Sequence, residues 1–247
     1  MRESDITRLK SRLKAIVFDV FGTVVDWRTS VANEVEELAQ RKGYKIDGFV
    51  FADAWRTEYM PSMNRVRAGE LSWKKLDQLH RMTLEHLILE FGLSYLVKDE
   101  IDSLNKSWHR LQPWPDVVEG LTRLKRKFII APLSNGNISL ITDMAKYAGL
   151  PWDCILGAEL VRHYKPDPEV YQSAYDFLDL LPAEVMMVAA HLNDLHGAKK
   201  VGLTTAFVAR PDEFGHSPTS MKPDLIPDES VDISAKDFCH LAALLGA

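Results

Sequence analysis

Four short apolar runs, each closing on polar residues, punctuate the chain. Lys14-Ala15-Ile16-Val17-Phe18 ends at Asp19 with Gly22-Thr23 close behind, and Phe128-Ile129-Ile130-Ala131-Pro132-Leu133 ends at Ser134-Asn135-Gly136. Val185 to Ala190 ends at His191 and Asp194, and Thr204 to Val208 ends at Arg210-Pro211. Apolar runs of this length bounded by turn formers read as buried strands that open into loops. Helical patterns lie between the later ones, over Pro115 to Lys127, Ile138 to Ala148, Pro168 to Leu180 and Asp194 to Val201. Gly149, with Pro151 beyond it, is a stop signal for the second of these helices. Strands alternating with helices predict a parallel sheet covered on both faces, an α/β doubly wound, Rossmann-like core. Such sheets bind ligands at the carboxyl ends of their strands, where these polar residues converge.

The stretch from Trp27 to Gln112 breaks the rhythm. It is rich in Trp, Met, Leu and charge, offers no convincing strand, and predicts helices near Ser30 to Lys42, Asp47 to Arg67, Ser72 to Phe91 and Lys98 to Arg110. The organisation expected is a core made of residues 1–26 and 113–247, with an inserted helical cap domain over 27–112 that sits above Asp19. Pro211 to Pro227, with its several prolines, reads as an irregular surface loop.

Composition narrows the function classes. A chain of 247 residues with 46% hydrophobic and 26% charged residues is an ordinary folded protein. A net charge of -5 with scattered basic residues lacks the clustered basic face that nucleic-acid binding needs. Met1 to Lys14 carries seven charges and no signal-like apolar run, and nowhere do 18 apolar residues follow one another. The expectation is a cytoplasmic protein without a membrane partner. Cys154 and Cys239 lie far apart without metal-ligand spacing, so both are expected as buried free thiols.

An aspartate at a strand end before a Gly-Thr turn can simply cap a loop. The ordered set Phe18-Asp19-Val20-Phe21-Gly22-Thr23, Leu133-Ser134-Asn135-Gly136, Tyr164-Lys165-Pro166-Asp167-Pro168 and Val188 to Asp194 followed by Gly197-Ala198 says more. It resembles the four motifs of the haloacid dehalogenase superfamily, cap included, over nearly the whole chain. That resemblance implies that Asp19 is a covalent nucleophile. Most of that superfamily are magnesium-dependent phosphatases, with a general-acid aspartate two positions after the nucleophile and a metal-holding aspartate in the fourth motif. Here those positions are Phe21 and Ala190. A phenylalanine transfers no proton, so the chain resembles the 2-haloacid dehalogenase branch more closely, where halide leaves unprotonated and no metal or other cofactor is required.

That branch implies attack by Asp19 on the halogen-bearing carbon of a small halogenated carboxylic acid, then hydrolysis of the resulting ester to a 2-hydroxy acid. Arg56, following Trp55 in the cap, would receive the halide. Ser134 and Asn135 would bind the substrate carboxylate, with Phe21 as an apolar wall. Thr23 would hydrogen-bond the nucleophile, Lys165 would hold it beside Asp194, and Tyr171 matches a tyrosine of the branch. The fourth motif departs from the branch's Ser-x-Asn-x-x-Asp, reading Ala189-x-His191-x-Asn193-Asp194. His191 is therefore open to three readings: base, hydrogen-bond donor, or structural residue. A phosphatase of the same superfamily and a non-catalytic binding protein on this scaffold stay open as alternatives, and a homodimer is the commonest symmetric assembly.

Overall fold

A computed structural model describes residues 9–215 and 222–247. Residues 1–8 of the charged start and 216–221 of the proline-rich segment lie outside the described residues. Six parallel strands form the central sheet in the order β5-β4-β1-β6-β7-β8. They are β1 (Ala15–Phe18), β4 (Ile129–Ser134), β5 (Leu156–Gly157), β6 (Val185–Ala189), β7 (Thr204–Val208) and β8 (Ile233–Ala235). Strands β1, β6 and β7 are buried at every residue, which is why they read as continuous apolar runs rather than alternating ones. Alternation appears in what they touch. Ile16 and Phe18 pack into one hydrophobic layer and Ala15 and Val17 into the layer on the opposite face.

A two-residue antiparallel pair, β2 (Val25–Asp26) with β3 (Gln112–Pro113), marks where the chain leaves the core and returns. Between them run α1 (Trp27–Arg41), α2 (Gly48–Thr57), α3 (Tyr59–Arg67), α4 (Leu76–Glu90), α5 (Lys98–Asn105) and a 3-10 turn (Lys106–His109). Asp26 and Asp47 cap the first two helices, their carboxylates accepting from the amides of Thr29 at 3.0 Å and Val50 at 3.1 Å. The helix expected over Asp47 to Arg67 is broken at Glu58. Pro61 explains the break: it lacks an N–H and its ring would meet the carbonyl one turn back, so it fits only in the first turn of a new helix. Around the core sheet lie α6 (Val117–Lys125), α7 (Ile138–Ala148), α8 (Ala158–Val161), α9 (Pro168–Asp176), α10 (Leu192–Lys200) and α11 (Phe238–Leu245). Gly149 closes α7 at φ 67°, the left-handed conformation that favours glycine there.

Cap and core share one hydrophobic interior, in which Trp27, Trp55 and Trp108 are fully buried beside Phe21. Polar bridges add registry. Arg67 on α3 donates to the Asp167 carboxylate at 2.9 Å and to the backbone carbonyls of Tyr164 and Lys165, tying the cap to the loop that carries the third motif. Among the described residues no helix is long and apolar enough to cross a membrane. Cys154 and Cys239 are free but only half-buried, which corrects the expectation of fully buried thiols.

Candidate active site

Because β1, β4 and β6 run in parallel and in register, with Phe18 opposite Pro132 and Val188, their carboxyl ends deliver side chains to one place. Asp19 follows β1 directly, its amide donating to the Val188 carbonyl at 2.9 Å. The Thr23 hydroxyl donates to Asp19 Oδ2 at 2.7 Å and accepts from the Ala190 amide at 2.9 Å, fixing the carboxylate to the adjacent strand end. Lys165 Nζ lies 3.2 Å from Asp19 Oδ1 and 2.6 Å from Asp194 Oδ2, and the Tyr171 hydroxyl donates to Asp194 Oδ1 at 2.6 Å. One ammonium thus bridges two carboxylates, and both oxygens of Asp194 are engaged.

His191 stands on the other side of Asp19. Its Nδ1 is 3.2 Å from Asp19 Oδ2 and its Nε2 is 2.9 Å from Glu213 Oε2. Two anions facing the two ring nitrogens describe an imidazolium that donates both ways. Burial disfavours that charge, yet Glu213 and Asp19 together outweigh burial and push the His191 pKa up to about 10. Burial likewise favours a neutral Asp19, but the Lys165 charge, followed by His191 and Thr23, holds its carboxyl well below the usual carboxylate range. Asp194 is displaced the other way, raised by burial and by its neighbour Asp19 against the pull of Lys165 and Tyr171. Lys165 is kept protonated, since Asp194 and Asp19 outweigh its own desolvation.

Asp19, Lys165, Tyr171, His191 and Asp194 form the floor of a cavity of about 410 Å³ whose other walls include Phe21, Arg56, Tyr59 and Asn135, with Thr23 and Glu213 behind that floor. Arg56 comes from α2, its guanidinium 4.1 Å over the Tyr59 ring, and its buried Nη1 has no hydrogen-bond partner among the described residues. Asn135 lines the cavity while its Oδ1 accepts from the Lys165 amide at 2.7 Å. Ser134 departs from its expected place. Its hydroxyl is fully buried, accepts from the Gly136 amide at 3.0 Å, and is not on the cavity wall. Trp55 is also absent from the wall; its Nε1 donates to the His80 carbonyl at 3.1 Å, which ties α2, the helix that carries Arg56, to α4.

A haloacid dehalogenase-like hydrolase family model matches residues 13–202. The chain belongs to that family. Among curated relatives, (S)-2-haloacid dehalogenase 4A of Burkholderia cepacia is 31% identical over 83% of this chain and 88% of its own length. (S)-2-haloacid dehalogenase 1 of Pseudomonas sp. strain CBS-3 is 31% identical over 83% and 90%. The crystal structure of the defluorinating L-2-haloacid dehalogenase Rha0230 superposes with a TM-score of 0.90 at 48% identity, covering 95% of this chain and 96% of that one. That of the L-2-haloacid dehalogenase PA0810 does so with a TM-score of 0.90 at 46% identity, covering 95% and 99%.

Within this family frame, the site holds one charged residue that the sequence did not reveal. Glu213 lies in the segment expected to be an irregular surface loop, yet it is 1% exposed, and Arg210 and Phe214 beside it are buried as well. That expectation is corrected for the start of the segment. Arg210 donates to the Thr23 carbonyl at 2.9 Å and makes a two-pronged contact with Asp116 at 2.7 and 2.9 Å, which pins the turn against the site.

Proposed function

We propose that the chain hydrolyses short (S)-2-haloalkanoic acids to 2-hydroxy acids and halide through an ester on Asp19. The observation that carries this reading is that an ionised, firmly held Asp19 shares one cavity with Phe21 and with Arg56, whose buried Nη1 has no hydrogen-bond partner among the described residues. A depressed carboxyl pKa means that the nucleophile is already anionic and requires positioning rather than a base.

In the first half of the reaction an Asp19 oxygen attacks C2 in line as the C–X bond breaks, inverting the carbon. Arg56 receives the departing halide, and with Asn135 it holds the substrate carboxylate near the roof. Ser134 contributes through the loop that it shapes rather than through its own hydroxyl. Water then adds to the carbonyl carbon of the Asp19 ester, and collapse of the adduct frees the 2-hydroxy acid and restores the carboxylate. Thr23 and Lys165 hold the acyl oxygen atoms in place, while Tyr171 holds Asp194, so that charge is stabilised by groups already oriented.

The donor set does not fit magnesium. Ala190 supplies no ligand, and both Asp194 oxygens are taken by Lys165 and Tyr171. Phe21 likewise leaves no acid for an alcohol leaving group, which argues against phosphate ester hydrolysis. The test is halide release from (S)-2-chloropropionate, chloroacetate and fluoroacetate in EDTA, run beside p-nitrophenyl phosphate with magnesium. Halide without phosphate release is expected; phosphate release with no halide from any acid would overturn the proposal.

A further inference from the structure

Glu213 is a buried carboxylate that the ester mechanism does not itself require. Its position is nevertheless built in detail. Oε1 accepts from Trp27 Nε1 at 3.1 Å while Oε2 meets His191 Nε2 at 2.9 Å. Gly22, at φ 87°, makes room for it: a Cβ there would lie 2.0 Å from Glu213 Oε1. The glycine of the first motif, the tryptophan that opens the cap and the Arg210-anchored turn therefore converge on one carboxylate. That carboxylate touches the reacting aspartate only through His191.

We propose that Glu213 is the positioning residue that makes His191 the general base for hydrolysis of the Asp19 ester, by retaining the proton on Nε2 and leaving Nδ1 to face the ester. This rests on the ester reading above. In the resting enzyme His191 donates from Nδ1 to Asp19 and from Nε2 to Glu213. When Asp19 forms its C–O bond and the halide departs with the C–X electron pair, the anion facing Nδ1 is gone. The Nδ1 proton then passes to solvent through the open cavity, while Glu213 keeps the Nε2 proton. Water adds to the ester carbonyl carbon; one of its protons ends on Nδ1 and the other on the product hydroxyl, and its oxygen stays on Asp19. Asp19 carboxylate and His191 imidazolium are regenerated. The sum is haloacid plus water giving hydroxy acid, halide and one proton.

The groups around His191 are Asp19 from the end of β1 and Glu213 from the turn after β7, with Lys165, Asp194 and Arg56 lining the same cavity. Glu213→Gln keeps the shape and removes the anion. Mixed with excess (S)-2-chloropropionate, it is expected to release a burst of about one halide per chain and then turn over roughly 100-fold slower than the parent. Intact-protein mass measurement should find it carrying the ester. In a His191→Asn background the same change should cost less than about twofold, because the positioning residue has nothing left to position. Parent-like turnover, slow halide release without ester, or an undiminished loss in the His191→Asn background would each overturn the inference. Glu213→Asp covers the case in which the glutamine variant does not fold: any slowing should again lie in ester hydrolysis, and a folded, slow variant that accumulates no ester overturns it. If the parent itself forms no ester on quenching, the parent reaction fails first and takes this inference with it. Ester in the parent with unimpaired Glu213→Gln removes Glu213 alone.

Discussion

On the floor of the cavity every charged side chain is answered. Asp19 has Thr23, Lys165 and His191; Asp194 has Lys165 and Tyr171; and His191 has Glu213 at its far nitrogen. On the cap side, Arg56 Nη1 and, between Trp55 and Trp108, both ring nitrogens of His80 are buried with no hydrogen-bond partner among the described residues. Burial pushes the His80 pKa down to about 3, so this histidine is held neutral. An unanswered donor costs stability unless something arrives to accept from it. The floor is built to keep its own charges in place, and the roof is left open to an anion brought from outside.

That contrast is open to attack by substitution, beginning with the largest effect. Asp19→Asn should lower halide release on the order of 10⁴-fold or more with the fold intact by circular dichroism, since no neighbouring group replaces the nucleophile. Residual activity near the parent level would break the floor's assignment. Lys165→Met and Arg56→Met then test the two walls against each other. The first leaves two buried carboxylates without their shared cation and should cost about 3–5 kcal/mol in urea unfolding. The second removes a cation whose partners are the Tyr59 and Trp27 ring faces rather than a carboxylate, and should change stability by about 1 kcal/mol or less while slowing halide release roughly 100-fold. Equal stability losses would erase the distinction between the walls.

Proton linkage gives a finer test. The folded pKa of His191 lies above its unfolded value, so its contribution to stability is complete below about pH 6.5 and is lost as pH rises toward about 10. The stability advantage of the parent over His191→Asn should therefore shrink across that window, as read from urea midpoints. His80 has the opposite sign. Its folded pKa is depressed, so the unfolded chain takes up the proton more readily, and stability falls as pH drops from about 6.5 toward 3. Replacement by leucine should flatten that acid limb and stabilise the fold by about 1 kcal/mol near pH 5. A steeper acid limb in His80→Leu would mean that this histidine, buried inside the cap behind Arg56's helix, is answered after all.

Most of the floor was legible in the sequence because each residue follows a buried strand or sits in a compact motif. Asp19, Thr23, Lys165, Tyr171, His191 and Asp194 are all identifiable from motif position, and the structure brings them together. Strands β5 and β8 were missed because two or three residues leave no periodicity to read. The cap was legible as helical, but its break at Glu58 required weighing Pro61 against an otherwise continuous pattern. Glu213 was hidden by its setting: nearby prolines and charge signal an exposed loop, whereas burial came from long-range contacts of Arg210 with Thr23 and Asp116. Ser134 shows the converse, since a polar residue at the right strand end turned its hydroxyl into its own loop.

The most direct test of an ester on Asp19 is a single turnover in oxygen-18 water with enzyme in excess over (S)-2-chloropropionate. The 2-hydroxy acid from that turnover should carry no label, and the peptide containing Asp19 should gain the mass of one oxygen-18 substitution. Labelled product from the first turnover, with an unlabelled Asp19 peptide, would mean that water attacks the substrate carbon directly and that Asp19 is not the nucleophile.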